Sequence, residues 1–245
     1  MRYTADTARC RRSRGAVTAV TLGVLPVFLL TACGDDGPTD TSAIAPMLLT
    51  EDDAPDGFGW NSVAEVLTDA GDDLGQQLDA ALAGVTTEPA SCGALVPTSD
   101  SIIAELHDHR DTVNAVEFLP DDENTPAVID AVVSTADDGD TTDLASGRID
   151  AGACSAFTRT GSDGSVTHYR ASAQKASVAS PDDTRVITVL SDSVTPGEDV
   201  VTTVAGTVEG VHFRVTSAGV TDADVLTTLA EKQVAKISDA TEGQD

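Results

Sequence analysis

Four β-branched, apolar runs in the second half of the chain, each cut off from the next by turn residues, constrain the fold more than any other feature. Val166 to Gln174, Thr184 to Leu190, Val200 to Thr207 and Val211 to Thr216 are separated by Pro181-Asp182-Asp183, Pro196-Gly197 and Glu209-Gly210, the composition of strands and of the turns between them. Connections this short join antiparallel neighbours, because parallel pairing needs a crossover of a dozen or more residues. The sequence therefore predicts a β-meander. Gly161-Ser162-Asp163-Gly164 extends it backwards, joining a strand that leads from Cys154 to the Val166 run.

Ahead of the meander the period changes. Val63, Val66, Leu67, Ala70, Leu74, Leu78, Ala81 and Leu82 recur at three- and four-residue steps behind a cap at Asn61-Ser62, one apolar helical stripe. Gly71 and Gly75 each weaken it by about 1 kcal/mol relative to Ala, so one helix or two shorter ones fit. Ile102, Ile103 and Leu106 predict a short helix opening after Ser99 or Asp100. Thr112 to Leu119 reads as a strand ending at Pro120-Asp121-Asp122, Ala127 to Ser134 as a Val/Ile run of either type, and Asp143 to Ile149 as a helical turn. At the far end Thr221 and Asp224 have capping-box form, and Val225, Leu226, Leu229, Val234 and Ile237 continue at helical spacing. The expected fold class is α+β, an antiparallel β-meander sheet packed with N-terminal and C-terminal helices and carrying one disulfide.

The first 34 residues have a different character. Arg9, Arg11, Arg12 and Arg14 precede an uncharged run from Gly15 to Leu30, which ends in Leu30-Thr31-Ala32-Cys33-Gly34. That is the layout of an export signal, and the run, interrupted by Gly23 and Pro26, falls short of the roughly 20 apolar residues that span a bilayer. The cleavage site resembles the lipobox of bacterial lipoprotein signals. The resemblance implies cutting before Cys33, acylation of its thiol with palmitate-type chains, and anchoring at the extracytoplasmic face of the cell membrane. Two chains hold where one does not, at about 0.8 kcal/mol per buried methylene. The expected organisation is a signal peptide over 1–32, a lipidated Cys33 with a flexible tether over 33–46, a single α+β extracytoplasmic domain over 47–237, and a disordered tail over 238–245.

Cleavage there removes five Arg and one Asp, leaving nine basic residues against 40 acidic ones. A field of that sign repels phosphate backbones, so nucleic acid is not an expected partner, and attachment to membrane rests on the lipid. Of the 41 acidic residues 31 are Asp, gathered in turn-like pairs such as Asp52-Asp53 and Asp121-Asp122, which read as solvated surface. Cys10 leaves with the signal and Cys33 takes lipid. Cys92 and Cys154 remain, and an isolated pair in an exported protein reads as a disulfide.

The layout resembles a family. The lipobox and tether, an opening from Leu48-Leu49-Thr50 to Pro55-Asp56-Gly57-Phe58, Cys92 after a helix, Cys154 leading into antiparallel strands, and a closing helix are similar to actinobacterial lipoproteins related to the PknH-like extracellular sensor domain. Members generally carry two disulfides, where this chain has Cys for one. The resemblance implies a non-catalytic envelope domain with a ligand cleft between helices and sheet, and it supplies no binding residues.

Candidate chemistry is sparse. His107-Asp108-His109 with Asp111 is the densest ligand-capable cluster, but on a helix the two imidazoles point apart. Asp137, Asp138, Asp140 and Asp143 lack the alternating spacing and closing Glu of a calcium loop. Ser162 and Ser165 make no nucleophile elbow, and a hydrolase would require them to meet His168 and His212 in space. No phosphate loop or dinucleotide fingerprint is present, so no cofactor is expected. Phe58 and Trp60 read as core or cap aromatics in preference to the lining of a cleft. The expectation is a lipid-anchored domain, not an enzyme, that binds a small molecule, a lipid or an envelope protein. A protein-interaction module and a secreted hydrolase are the alternatives.

Overall fold

The chain divides after Gly37, and every described residue belongs to the second unit, Pro38–Asp245. The computed structural model describes residues 43–69, 73–122, 125–135, 152–176, 178, 184–192, 200–220 and 222–242. Its elements in chain order are β1 (Phe58–Ser62), α1 (Val63–Asp69), α2 (Leu74–Leu82), β2 (Thr86–Glu88), α3 (Ser99–Asp108), β3 (Val113–Pro120), β4 (Val128–Ser134), β5 (Phe157–Thr160), β6 (Val166–Lys175), β7 (Arg185–Ser191), β8 (Val200–Val208), β9 (Val211–Ala218) and α4 (Ala223–Glu242). The strands form one antiparallel sheet in the order β1-β3-β4-β9-β8-β7-β6-β5-β2. The fold is α+β, and β5 to β9 are the expected meander.

Local chemistry explains the turns that are described. Between β8 and β9 only Glu209 and Gly210 intervene, with φ of 51° and 82°, the doubly left-handed pair that a two-residue hairpin requires. Thr98 opens α3 by accepting from Ser101 N, and Ser101 Oγ returns a bond to the Thr98 carbonyl. The long apolar stripe is realised as two helices, α1 and α2. The expected cap at Asn61-Ser62 is instead the end of a strand, because Trp60 and Phe58 point inward while Gly59 and Asn61 face out. That edge strand, and the three-residue β2, were not expected. The Ala127 to Ser134 run is a strand.

Alternation along β3 and β4 separates the two faces of the sheet. Val116, Phe118, Ile129, Ala131 and Val133 join Phe213, Val215 and the apolar stripe of α4 in the main core. Val113, Ala115 and Val132 point the other way, against Val63 of α1 and Ile102 and Leu106 of α3. Farther along that second face, the turn Ala90–Leu95 lays Cys92 and Leu95 over Phe157, Ile187, Val189 and Val201. Cys92 and Cys154 are bonded there, as the sequence predicts.

Two boundaries move. The tether expected over 33–46 gives way earlier, since Ile44 is 0% exposed within the main core and Ala45–Met47 already forms a helical turn. An apolar side chain that finds a core leaves the solvent whatever the polarity of its neighbours. The expected tail at 238–245 is helix as far as Glu242, held by Thr241, whose hydroxyl bonds the Ile237 carbonyl and the Glu209 carboxylate. Cys33, the expected export signal, Asp143 to Ile149 and the expected Thr221 cap residue lie outside the described residues.

Candidate functional site

α4 covers β8 and β9 on the main-core face. Beyond it that face is exposed along β6. On β6 the side chains of Val166, His168, Arg170, Ser172 and Gln174 are exposed, alternating with half-buried neighbours as far as Ala171. Register extends this alternation across the strands. Glu88, Thr158 and His168 oppose one another on β2, β5 and β6, with Asp192 closing the row beyond β7, and Arg170 opposes Leu190 in the next row but one. These residues border a groove of about 600 Å³.

The floor of the groove is hydrogen-bonded and stacked. His168 N donates to Asp192 Oδ1 at 2.8 Å and the Asp192 amide returns a bond to the His168 carbonyl at 3.1 Å, fixing the end of β6 against β7. Beneath it Phe157 and Tyr169 stack with centroids 4.9 Å apart, anchored in the disulfide-bearing core. Glu88 and Asp192 stand at the two ends of a row that crosses three strand intervals, about 14 Å, with His168 and Arg170 between. Leu190 is 52% exposed and Val166 54%. The lining therefore offers both signs of charge, hydroxyls and one aliphatic contact, which suits recognition of a polar partner.

A second polar cluster lies on the opposite face, under the helices. Glu117 on β3, Asp130 on β4, Thr216 on β9 and Thr203 on β8 form one continuous row across four strands. Arg214, two residues from Thr216, is 1% exposed, and its Nε donates to Thr216 Oγ1 at 2.7 Å. Burial pushes the Asp130 carboxyl up to about 7, with Glu117 adding to the rise and Arg214 opposing it. Burial likewise raises Glu117, against the bond it accepts from Ser99 Oγ at 3.1 Å. Arg214 is drawn down to about 10 by its own burial, with Asp130 holding it up.

The crystal structure of the extracellular domain of PknH from Mycobacterium tuberculosis matches this chain with a TM-score of 0.44 at 14% identity, covering 67% of this chain and 91% of that one. No family model matches, and no curated protein does.

The other residues singled out in the sequence do not converge. His107 bonds Asp108 at 2.9 Å on the last turn of α3, and His109 caps it; among the described residues no group of three or more His, Cys, Asp or Glu is placed to hold a metal ion. Ser162 sits in the turn between β5 and β6, and Ser165 ends it, its amide bonded to Asp163 at 2.8 Å. His168 is on β6 and His212 on β9, three strands away and nearer the other end of β7. His212 Nδ1 instead meets Thr207 Oγ1 at 2.9 Å and is buried. The hydrolase set is therefore dispersed. Phe58 and Trp60 pack on the main core, and Trp60 Nε1 donates to the Leu49 carbonyl at 3.2 Å, the core-and-cap role expected of them. Asp137, Asp138, Asp140 and Asp143 fall outside the described residues. Neither the groove nor the Glu117–Asp130 row was anticipated. The alternation of β6 was visible, but which strands lie beside it was not.

Proposed function

We propose that this chain is a membrane-anchored envelope lipoprotein whose folded domain is a non-catalytic, sensor-like binding module, taking its ligand or partner in the groove over β2, β5, β6 and β7. The observation that carries this reading is the exposed part of the sheet face. A strand platform with exposed Leu190, charges of both signs and, among the described residues, no covering helix is a binding surface in search of a complement. Dispersal of Ser162, Ser165, His168 and His212 supports the absence of hydrolase chemistry. Bonding of Cys92 to Cys154 supports export, because such bonds persist in oxidising compartments. Among the described residues no helix is long and apolar enough to cross a membrane, and attachment is assigned to Cys33.

Leu190 and Val166, both about half exposed on firm strands, favour a protein partner over a small apolar molecule, for which an enclosed cavity is the usual site. Native mass spectrometry of the exported chain carrying Cys33→Ala, before and after denaturation, separates the two. A bound mass that vanishes on unfolding identifies a small ligand. A bare chain that crosslinks to an envelope protein through a probe at Ser172, and loses that crosslink with Leu190→Asp, identifies a protein partner. Absence of both sinks the binding reading. Recovery of the unsubstituted chain in the medium, without acyl mass on Cys33, sinks the anchor.

A further inference from the structure

Glu117 and Asp130 are directly opposed on adjacent antiparallel strands. Their side chains share one face, and opposed Cα atoms in such a ladder are about 4.5 to 5.5 Å apart. Asp130 is only 6% exposed, and Glu117 is partly buried beside it. Two carboxylates on directly opposed residues, one of them withdrawn from water, disfavour double ionisation. Among the described residues Arg214 is the cation whose charge reaches Asp130, and it is already engaged with Thr216 and Thr203. One cation shared with two hydroxyls does not neutralise two carboxylates.

Among the described residues, the elements around the pair bring no second positive charge to Asp130. Thr216 on β9 and Thr203 on β8 continue the row, Asn61 of β1 opposes Glu117, and from the helical layer Ser99 of α3 donates to Glu117. The other described ionisable groups of the helices on this face, Glu65 on α1 and Asp100, Glu105, His107 and Asp108 on α3, do not enter the charge balance at Asp130. The pair thus touches the first turn of α3 directly, through Ser99.

We propose that Glu117 and Asp130 hold one proton between them, and that its loss, by leaving full charge opposite the Ser99 hydroxyl, tightens the seat of α3 on the sheet. A dyad of this kind titrates as a unit, with two macroscopic steps that belong to the pair. Its place beneath a helical layer turns the second step into a change in how firmly that layer is held, a proton-linked state of a domain exposed to the environment.

The test is carboxyl carbon NMR of the Cys33→Ala chain across mildly acidic to mildly alkaline pH, read beside amide exchange in α3. The expected result is a coupled, two-step titration at both Glu117 and Asp130 with the upper step near neutrality. Protection of α3, corrected for the intrinsic pH dependence of exchange, should rise about tenfold across that step, the equivalent of one pKa unit. Glu117→Gln should leave Asp130 a single step moved down by about one pH unit or more, with α3 protection no longer responding. If that variant does not fold, the unsubstituted titration decides alone. Independent single steps completed in the ordinary carboxylate range overturn the shared proton, and a coupled titration with unchanged α3 protection overturns the link to the helix.

Discussion

At the scale of single residues, two adjacent aspartates differ more than the sequence allows one to see. Asp52 is exposed, while Asp53 accepts from the Thr50 amide and hydroxyl, each at 2.9 Å, and pairs with Lys236 at 3.1 Å and Lys232 at 3.7 Å. Burial works to raise the Asp53 carboxyl, but the bonds from Thr50 and Lys236 outweigh it and hold it below the ordinary value. A folded-state value that is lowered contributes stability above the unfolded value and loses it as pH falls through the folded one. Asp53→Asn is therefore expected to cost about 1 kcal/mol near neutrality and progressively less in acid, as urea unfolding at several pH values will report. Equal cost at all pH would assign the loss to packing instead. Gly206 makes a steric case. A Cβ there would lie 2.7 Å from Thr184 Oγ1, 3.1 Å from a Phe213 ring carbon and 3.2 Å from the Thr184 Cα. The hydroxyl can rotate away, but the ring and backbone cannot, so Gly206→Ala should lose about 1 to 3 kcal/mol to overpacking, and unchanged stability would mean that the start of β7 yields freely. The lysines that pair with Asp53 and the Thr184 that crowds Gly206 lie far along the chain, which is why Asp52-Asp53 reads as a solvated pair and Gly206 as an ordinary weak point in a strand.

Among elements, legibility follows the distance over which the signal acts. β6 to β9 are written in alternation and in turn residues a few positions apart, and α3 and α4 in helical spacing, so their type and approximate limits are apparent from the sequence. β1 escapes notice because Gly59 and Asn61 dilute its alternation and Asn61-Ser62 mimics a helix cap; pairing with β3 overrides that local signal. β2 has only three residues and exists because β5 offers it an edge. The candidate groove inherits this limit, since it is assembled from β2, β5, β6 and β7, of which the outermost is the least visible. The disulfide is its indirect support. Cys92 and Cys154, 62 residues apart, fasten the turn Ala90–Leu95 over the strands that form the groove floor. On the chain-entropy model that loop is worth about 4 kcal/mol. Replacing both Cys with Ala should lower the unfolding free energy by about 2 to 5 kcal/mol, and amide exchange should accelerate first in β2 and β5, which lie at the sheet edge. Uniform acceleration throughout the sheet would contradict a local role for the bond.

For the whole molecule, net charge and one buried row act on stability in the same direction but through different distances. With 41 acidic residues against 14 Lys and Arg, the folded chain repels itself, a cost that falls as carboxylates protonate or as salt screens them. Asp130 adds a separate contribution. Its folded value, about 7, lies above the ordinary 3.8, so the native state binds the proton more tightly than the unfolded chain does. Stability is then greatest in acid and is lost as pH rises from the unfolded value through the folded one, at about 1.4 kcal/mol for each pH unit crossed between them. Asp53 opposes this only below the ordinary carboxylate range. Thermal unfolding between pH 8 and pH 5.5 should therefore show a rising midpoint in dilute buffer. In about 1 M salt, where the screening length is only about 3 Å, the surface repulsion disappears while Asp130, buried at 6% exposure, keeps its effect. The pH dependence that survives in high salt is consequently that of the Glu117–Asp130 row, and Asp130→Asn should flatten it. A profile already flat in high salt for the unsubstituted chain would place the whole dependence on the surface, and a slope that persists in Asp130→Asn would assign it to a different buried group.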